Sequence, residues 1–348
     1  MTSTQLLTGY IWLRRALIAG VVLAVILVPQ YLTTFQTSSI GVQTLALGIA
    51  VASLMFLNSF GGMVSFAQTA LYGIAAYTTA ELQVIHGMNP WIAGVIGIVV
   101  TVGAGLLIGA VASRSEGIYF LMITLAFAVI VYYFFSQLSA FGSHEGINAV
   151  APPGVLGNPF FDPRGMYYAA LICSMLVYAL VLYLRRTPFG YAMQGVRDEP
   201  VRMRAIGYNV PLIRTLAFGL GAFIAAIAGV LIVWYNTNIS PGGIDLTRTI
   251  DVLVIAVIGG LGRLEGAWIG ALLFTVVETY SPSYTDRFQT IIGLVFLAVV
   301  LASPGGIAGI LGGLDRLLRG LLGRVAAPAS IAAATDATTP VPSSGAQT

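Results

Sequence analysis

The chain is 348 residues long, 57% hydrophobic and only 8% charged, with a formal net charge of +3 at pH 7. Soluble domains carry about 25% charged residues, so a mean hydropathy of +0.91 excludes an ordinary water-soluble fold. All 16 basic residues are Arg, and a charge balance this small and this localised excludes a nucleic-acid partner.

In a bilayer, backbone groups must be satisfied internally, so spans are helices or a closed barrel. The apolar runs here are long and continuous, not alternating, which predicts an all-α polytopic transmembrane helical bundle with membrane lipid as its solvent. About ten spans of the length a bilayer requires follow in chain order, at roughly 16–34, 39–58, 63–83, 90–112, 117–136, 166–184, 211–236, 247–262, 265–281 and 287–311. Residues 1–15 end in Arg14 and Arg15 and read as a cytoplasmic N-terminus. The ALIAGVVLAVILV that follows reads as an uncleaved first span, because no clear A-x-A cleavage site comes after it. Little more than NSFGG separates spans two and three, and GLGRL separates eight and nine. Either pair admits a broken or re-entrant helix in place of two full crossings.

Orientation follows from the Arg residues. Ten spans with the N-terminus inside put Arg14, Arg15, Arg114, Arg263 and the 185–214 cluster in the cytoplasm, together with Arg316, Arg319 and Arg324. Arg164, Arg248 and Arg287 are the exceptions, single residues at outer ends. Both termini are then cytoplasmic, and 137–165, rich in Gly, Pro and Asn, is an ordered external loop. Residues 313–325 place Leu314, Leu317, Leu318, Leu321 and Leu322 on one helical face, which predicts a short amphipathic helix on the inner membrane surface. The small, polar tail 326–348 reads as disordered.

Enzyme chemistry finds little support. A Walker A loop needs a Lys, and this chain has none, so it holds no conventional ATP site itself. GGLGRLEG (259–266) has the spacing G-x-G-x-x-x-G and joins two spans, so it is not a dinucleotide loop. His86 and His144 are 58 residues apart, and no metal site is predicted. The lone cysteine, Cys173, reads as a small core residue. Small residues four apart, such as Gly105 and Gly109, or Gly221, Ala225 and Gly229, or Gly262, Gly266 and Gly270, read as helix packing. Asp251 and Glu278 fall near the outer halves of spans eight and nine and read as interfacial carboxylates or packed polar contacts; proton coupling is the alternative.

Two stretches stand out. Asn58, Ser65, Gln68, Thr69 and Tyr72 lie where the chain re-enters the bilayer, with Gly61, Gly62 and Gly73 loosening the helix. Such a segment serves either polar packing between helices or, as an interrupted helix, a hydrophilic solute path. The second stretch, 185–210, carries seven formal charges. Asp198 and Glu199 before Pro200 suit a helix start, and Gly207 suits the left-handed cap at its end. Positions 199–206 therefore read as a short cytoplasmic helix, preceded by another from Phe189 to Val196. Together they form a knob outside the membrane, built to dock a partner.

At this point the chain resembles the permease subunits of branched-chain amino-acid ABC importers, of the LivM type, over roughly residues 39–312. GGMVSFAQTALYGIAAYTTA is similar to the family's G-x-x-S-[LF]-G-x-x-x-[FY]-x-G-x-G-A-Y, and SEGIYFLMITLAFA to its R-G-x-Y-F-x-x-x-T-L-A. FGSHEGINAV, RTPFGYAMQGVRDEPVRMRAIGYNV, VIGGLGRLEGAWIGA and SPGGIAGIL resemble further family segments in the right order. Departures are Ala67 and Ala75 where Gly is usual, Gly195 for Ala, and Val201, Arg202 and Met203 for an Ala-rich run.

The resemblance implies a permease domain at 16–312 in which 185–210 is the coupling element. Phe189, Gly190, Arg197, Asp198, Glu199, Arg202, Ala205 and Gly207 would serve the contact with the ATPase. It implies two ATP-binding subunits carrying ATP and Mg, a second related permease chain and an extracytoplasmic solute-binding protein, and no cofactor on this chain. The cargo would be a small branched-chain or related amino acid, with urea or short amides as the alternative, in a bacterial inner (plasma) membrane. A secondary transporter without an ATPase is the competing class.

Overall fold

Long apolar runs with no water to bond their backbone have one local solution, the α-helix. The computed structural model describes residues 33–138, 141–157, 163–281, 288–302 and 306–309, together with 27, 29 and 30. Among these the chain is helical, with one isolated bridge between Ile147 and Ile239. The helices are α1 (Thr34–Gly61), α2 (Ala67–Val84), α3 (Pro90–Ala112), α4 (Ile118–Gln137) and α5 (Arg164–Leu184). Two short ones follow, α6 (Pro188–Asp198) and α7 (Pro200–Ala205), and then α8 (Val210–Asn236), α9 (Leu246–Gly259), α10 (Gly266–Tyr280) and α11 (Phe288–Ala302). The first expected span lies mostly outside the described residues, as do the whole of 313–325 and 326–348.

Local chemistry sets the boundaries. Thr33 and Gln36 form a reciprocal capping box at the start of α1. Asn89 accepts from the Trp91 amide at 3.0 Å, and Pro90 takes the first position of α3, where its missing N–H costs nothing. Two π-helical turns, Thr37–Val42 and Leu57–Gly61, interrupt α1.

Among the described residues, five helices are long and apolar enough to cross a membrane: α1, α3, α4, α5 and α8. The others are shorter or more polar. α2 has 18 residues but includes Gln68, Thr69, Thr78, Thr79 and Glu81. α9 and α10 have 14 and 15 residues, about 21–23 Å at 1.5 Å each and short of a hydrocarbon core of about 30 Å. The backbones of Gly259 and Gly266 meet at the turn between them, so closely that neither position has room for a Cβ.

The bundle is built around α1 and α8, whose apolar windows are 78% and 72% buried, against 33%, 22% and 33% for α3, α4 and α5. α8 packs on α1, α2 and α3, and the opposite flank of α1 packs on α9 and α10. Apolar surface gives no drive between helices in lipid, so close backbone approach through small residues does the work. Gly105 faces Ala222, Gly109 faces Phe218, and Gly229 rests on the Tyr72 carbonyl. Gly262, by contrast, has open space around it; of its series only Gly266 and Gly270 pack. Val99, Leu107, Ile130 and Leu176 point outward, as a lipid-facing surface requires. All the described helices belong to one compact unit within Ile26–Ile310.

Side-chain bonds tie several connections together at one end of the bundle. Arg197 reaches Ser59, Asn58 and Ser59 reach Leu261, Arg214 reaches Glu116, and Tyr178 reaches Glu265. At the opposite end the Ile147–Ile239 bridge and the Val150 amide, which donates to the Thr237 carbonyl, join the 141–157 loop to the turn after α8.

Candidate functional site

The 185–210 stretch folds as two capped helices. Thr187 Oγ1 accepts from the Gly190 amide at 3.2 Å, and Pro188 takes the first position of α6. Pro200 does the same for α7. Gly207, at φ +93°, ends α7, its amide donating to the Arg204 carbonyl while the Tyr208 amide donates to that of Met203. Asn209 then caps α8 through the Leu212 amide at 3.2 Å. The helix start expected before Pro200 is present, but without a side-chain cap from the acidic pair. Asp198 is the last residue of α6, and Glu199, although at the cap position of α7, makes no side-chain cap bond. Asp198 instead accepts from Arg197 Nε at 2.8 Å, and that bond holds its carboxyl below the ordinary aspartate value.

The knob has an inner and an outer face. Gly190, Ala192, Met193 and Val196 are buried against the end of α1 and against α8. Gly190 sits on the Leu184 carbonyl with no room for a side chain. Phe189 is half-buried. Glu199, Arg202, Ala205 and Gly207 are exposed, and with them Tyr191, Val201, Ile206 and Tyr208. Two departures from the family pattern meet here: a Cβ on Gly195 would lie 2.8 Å from Met203 Sδ. The smaller residue on α6 makes room for the larger one on α7.

Arg197 is the tie between knob and bundle. Its Nη1 donates to the Ser59 carbonyl within the π-turn that ends α1, and its Cγ covers Gly62, which turns the chain at φ +63°. From the same turn Asn58 Nδ2 and Ser59 Oγ donate to the Leu261 carbonyl, at 3.4 and 3.1 Å, in the loop joining α9 to α10. Knob, π-turn and α9–α10 loop therefore form one hydrogen-bonded junction. π-turns occur often at such functional points. A second tie was not legible in the sequence: Arg214, at the start of α8, is 8% exposed and donates to Glu116 Oε1 at 2.9 Å, with Arg204 of α7 at 3.8 Å from the same oxygen.

The polar stretch of α1–α2 divides between two places. The chain leaves helical geometry only over 62–66; Gly73 lies inside regular α2, packed on Ile244. Asn58 belongs to the junction just described. Ser65 Oγ accepts from the Ala67 amide at 3.1 Å and so starts α2. Gln68 and Thr69 are buried, and neither polar atom of the Gln68 amide has a partner among the described residues. Tyr72 donates to the Gly243 carbonyl and lines a cavity of about 270 Å³ that opens toward the other end, between α1, α8 and the start of α9.

Asp251 and Glu278 share a cationic partner. Arg248 Nη1 lies 2.9 Å from Glu278 Oε1 and 3.5 Å from Asp251 Oδ2, and Gln43 Nε2 donates to Glu278 Oε2 at 3.0 Å. Among the described residues no group of His, Cys, Asp and Glu is placed to hold a metal ion.

Outward-facing apolar helices around a small-residue core, with a polar cavity inside and a helical knob at one end, define a multi-pass membrane protein. Residues 36–303 match the family described as branched-chain amino acid transport system / permease component, and the chain belongs to that family. It is similar to the high-affinity branched-chain amino acid transport system permease protein LivM of Escherichia coli K12, 24% identical over 84% of this chain and 74% of that one. It is likewise similar to LivH of the same organism, 27% identical over 80% of this chain and 97% of that one. BraD of Pseudomonas aeruginosa, of the same description, is 28% identical over 77% of this chain and 95% of its own length. No solved structure matches.

Proposed function

We propose that this chain is the membrane permease subunit of an ATP-driven, binding-protein-dependent importer and forms half of the translocation path for branched-chain amino acids. One observation carries the reading: the exposed, capped α6–α7 knob is bonded through Arg197 to the interrupted end of α1. A self-contained transporter has no use for such a lever. The chain lacks the Lys of a phosphate-binding loop, so ATP and Mg sit on two separate ATP-binding subunits, one of which receives the Tyr191, Val201, Ile206 and Tyr208 face. A second related permease chain completes the path, and an extracytoplasmic binding protein delivers solute at the 141–157 end.

In this reading residues 16–312 form the permease domain with ten spans, both termini lie in the cytoplasm, and the bacterial inner membrane is the host. The readings of residues 1–15 as a cytoplasmic N-terminus, 313–325 as an interfacial helix and 326–348 as a disordered tail fall outside the described residues. The test is energy-dependent uptake of labelled leucine, with labelled urea in parallel, in the native host with and without this chain. Loss of leucine uptake on deletion supports the proposal. Loss of urea uptake alone moves the cargo and keeps the architecture. Arg197→Glu is the sharper variant for the coupling step, since substitution at Gly190 disturbs the knob's own fold.

A further inference from the structure

The cavity of about 270 Å³ at the end of the bundle opposite the knob has two unlike walls. It falls just below the small end of the range for small-molecule sites, roughly 300–1,000 Å³. Ala46 and Leu47, near the middle of α1, join Ile232 and Ile239 on the apolar wall. Arg248, Asn236, Asn238 and Ser240 supply the polar one.

Arg248 is only part-used. Its Nη1 serves Glu278 and Asp251, whereas Nη2 and Nε have no partner among the described residues, and the side chain is 40% exposed. A guanidinium held from one side presents its remaining donors in a fixed fork, the geometry that fits a carboxylate. Gln43 steadies Glu278 from α1, at 3.0 Å, and so fixes the position of Arg248. The Asn236 and Asn238 side chains are exposed at the same mouth, without side-chain partners among the described residues, and offer amide oxygens to a cation.

Charge sorts the candidates. Glu278 and Asp251 more than offset Arg248, and Asp245, whose carboxylate accepts from the Arg248 amide, adds to them. A simple anion is therefore repelled on approach. A zwitterion brings its own ammonium and is not. Urea has no carboxylate for Arg248 to hold.

We propose that this cavity is a transit site for an aliphatic α-amino acid, with its carboxylate on Arg248, its ammonium on the Asn236 and Asn238 oxygens, and its side chain against Leu47 and Ile232. The proposal rests on the importer reading and specifies the cargo within it. Partial neutralisation of Arg248 keeps the hold weak, which a path needs so that solute leaves as readily as it enters.

The experiment uses the complete importer in proteoliposomes with its binding protein, reading [³H]leucine uptake and ATP hydrolysis together. R248Q alone leaves Glu278 without its cation, so the double variant R248Q/E278Q, which removes both charges, is run beside it. Both variants are expected to lose about tenfold in leucine uptake, the effect of one lost charged hydrogen bond, while binding-protein-stimulated ATP hydrolysis stays at the wild-type rate. R248K, a point charge without the fork, recovers part of the uptake. N238L, which removes the amide oxygen but no side-chain bond among the described residues, lowers uptake and leaves ATP hydrolysis unchanged. Full uptake by R248Q/E278Q would make the pair a structural clip and overturn the site. Absence of leucine uptake by the wild-type importer would overturn both this site and the reading it rests on.

Discussion

Replacing Arg197 by Ala removes the tie between the knob and α1. The bond from its guanidinium to the Ser59 carbonyl belongs to the class worth about 1.5–3 kcal/mol when shielded. The side chain is 37% exposed, and solvent screening brings that to about 1 kcal/mol. The Asp198 pair, on a carboxylate 61% exposed, adds little. At 1.4 kcal/mol per factor of ten, the population with the knob seated on the π-turn shifts by about fivefold. ATP-driven motion of the knob is then transmitted less faithfully, so leucine carried per ATP falls by up to about fivefold while hydrolysis continues. R197K keeps a charged donor and loses less. The assay is simultaneous leucine uptake and phosphate release by the reconstituted importer. An R197A importer with the wild-type ratio of leucine to ATP would refute the mechanical role of the junction.

Four further outcomes are expected. G195A places a Cβ against Met203 Sδ, on a flexible side chain that can swing aside, so the gain of about 1 kcal/mol in helix propensity offsets the contact and the melting temperature holds or rises slightly, and a clear drop would show that Met203 cannot move. G229A drives a methyl into the Tyr72 carbonyl and costs about 3 kcal/mol or more, read as lost thermal stability in detergent. Q68L removes a buried amide whose atoms have no partner among the described residues, so thermal stability rises by about 1–3 kcal/mol, and leucine uptake falls if the wall of the path is there; unchanged uptake would remove Gln68 from the path. E116Q leaves Arg214, 8% exposed, without its carboxylate, but the 56% exposure of Glu116 limits the cost to about 1 kcal/mol, visible as a small drop in melting temperature.

Much of the helical layout was legible from hydropathy, because in lipid a long apolar run has to satisfy its own backbone and does so as a helix. The helix ends from α6 to α8 were legible for a different reason. Thr187, Pro188, Pro200, Gly207 and Asn209 act on amides and carbonyls within four residues, and that chemistry is local. The Arg197–Asp198 pair is local too, between sequence neighbours, whereas the bond from Arg197 to the Ser59 carbonyl, which fixes where that guanidinium sits, was not legible. The break between α9 and α10 was legible as GLGRL, but the close contact of Gly259 with Gly266 across it was not.

The pairings that make the candidate sites were not in the sequence. Ser59 and Arg197 are 138 residues apart, Gln43 and Glu278 are 235 apart, and the match of Gly195 to Met203 needed two helices turned against each other. Composition, helical runs and caps are properties of neighbouring residues, and the chain alone determined them. Which charges meet, which buried amide is left over and where a cavity remains depend on how helices far apart in sequence pack. Only the tertiary structure decided those, because side-chain hydrogen bonds act over about 3 Å and the chain carries no record of distance between its remote parts.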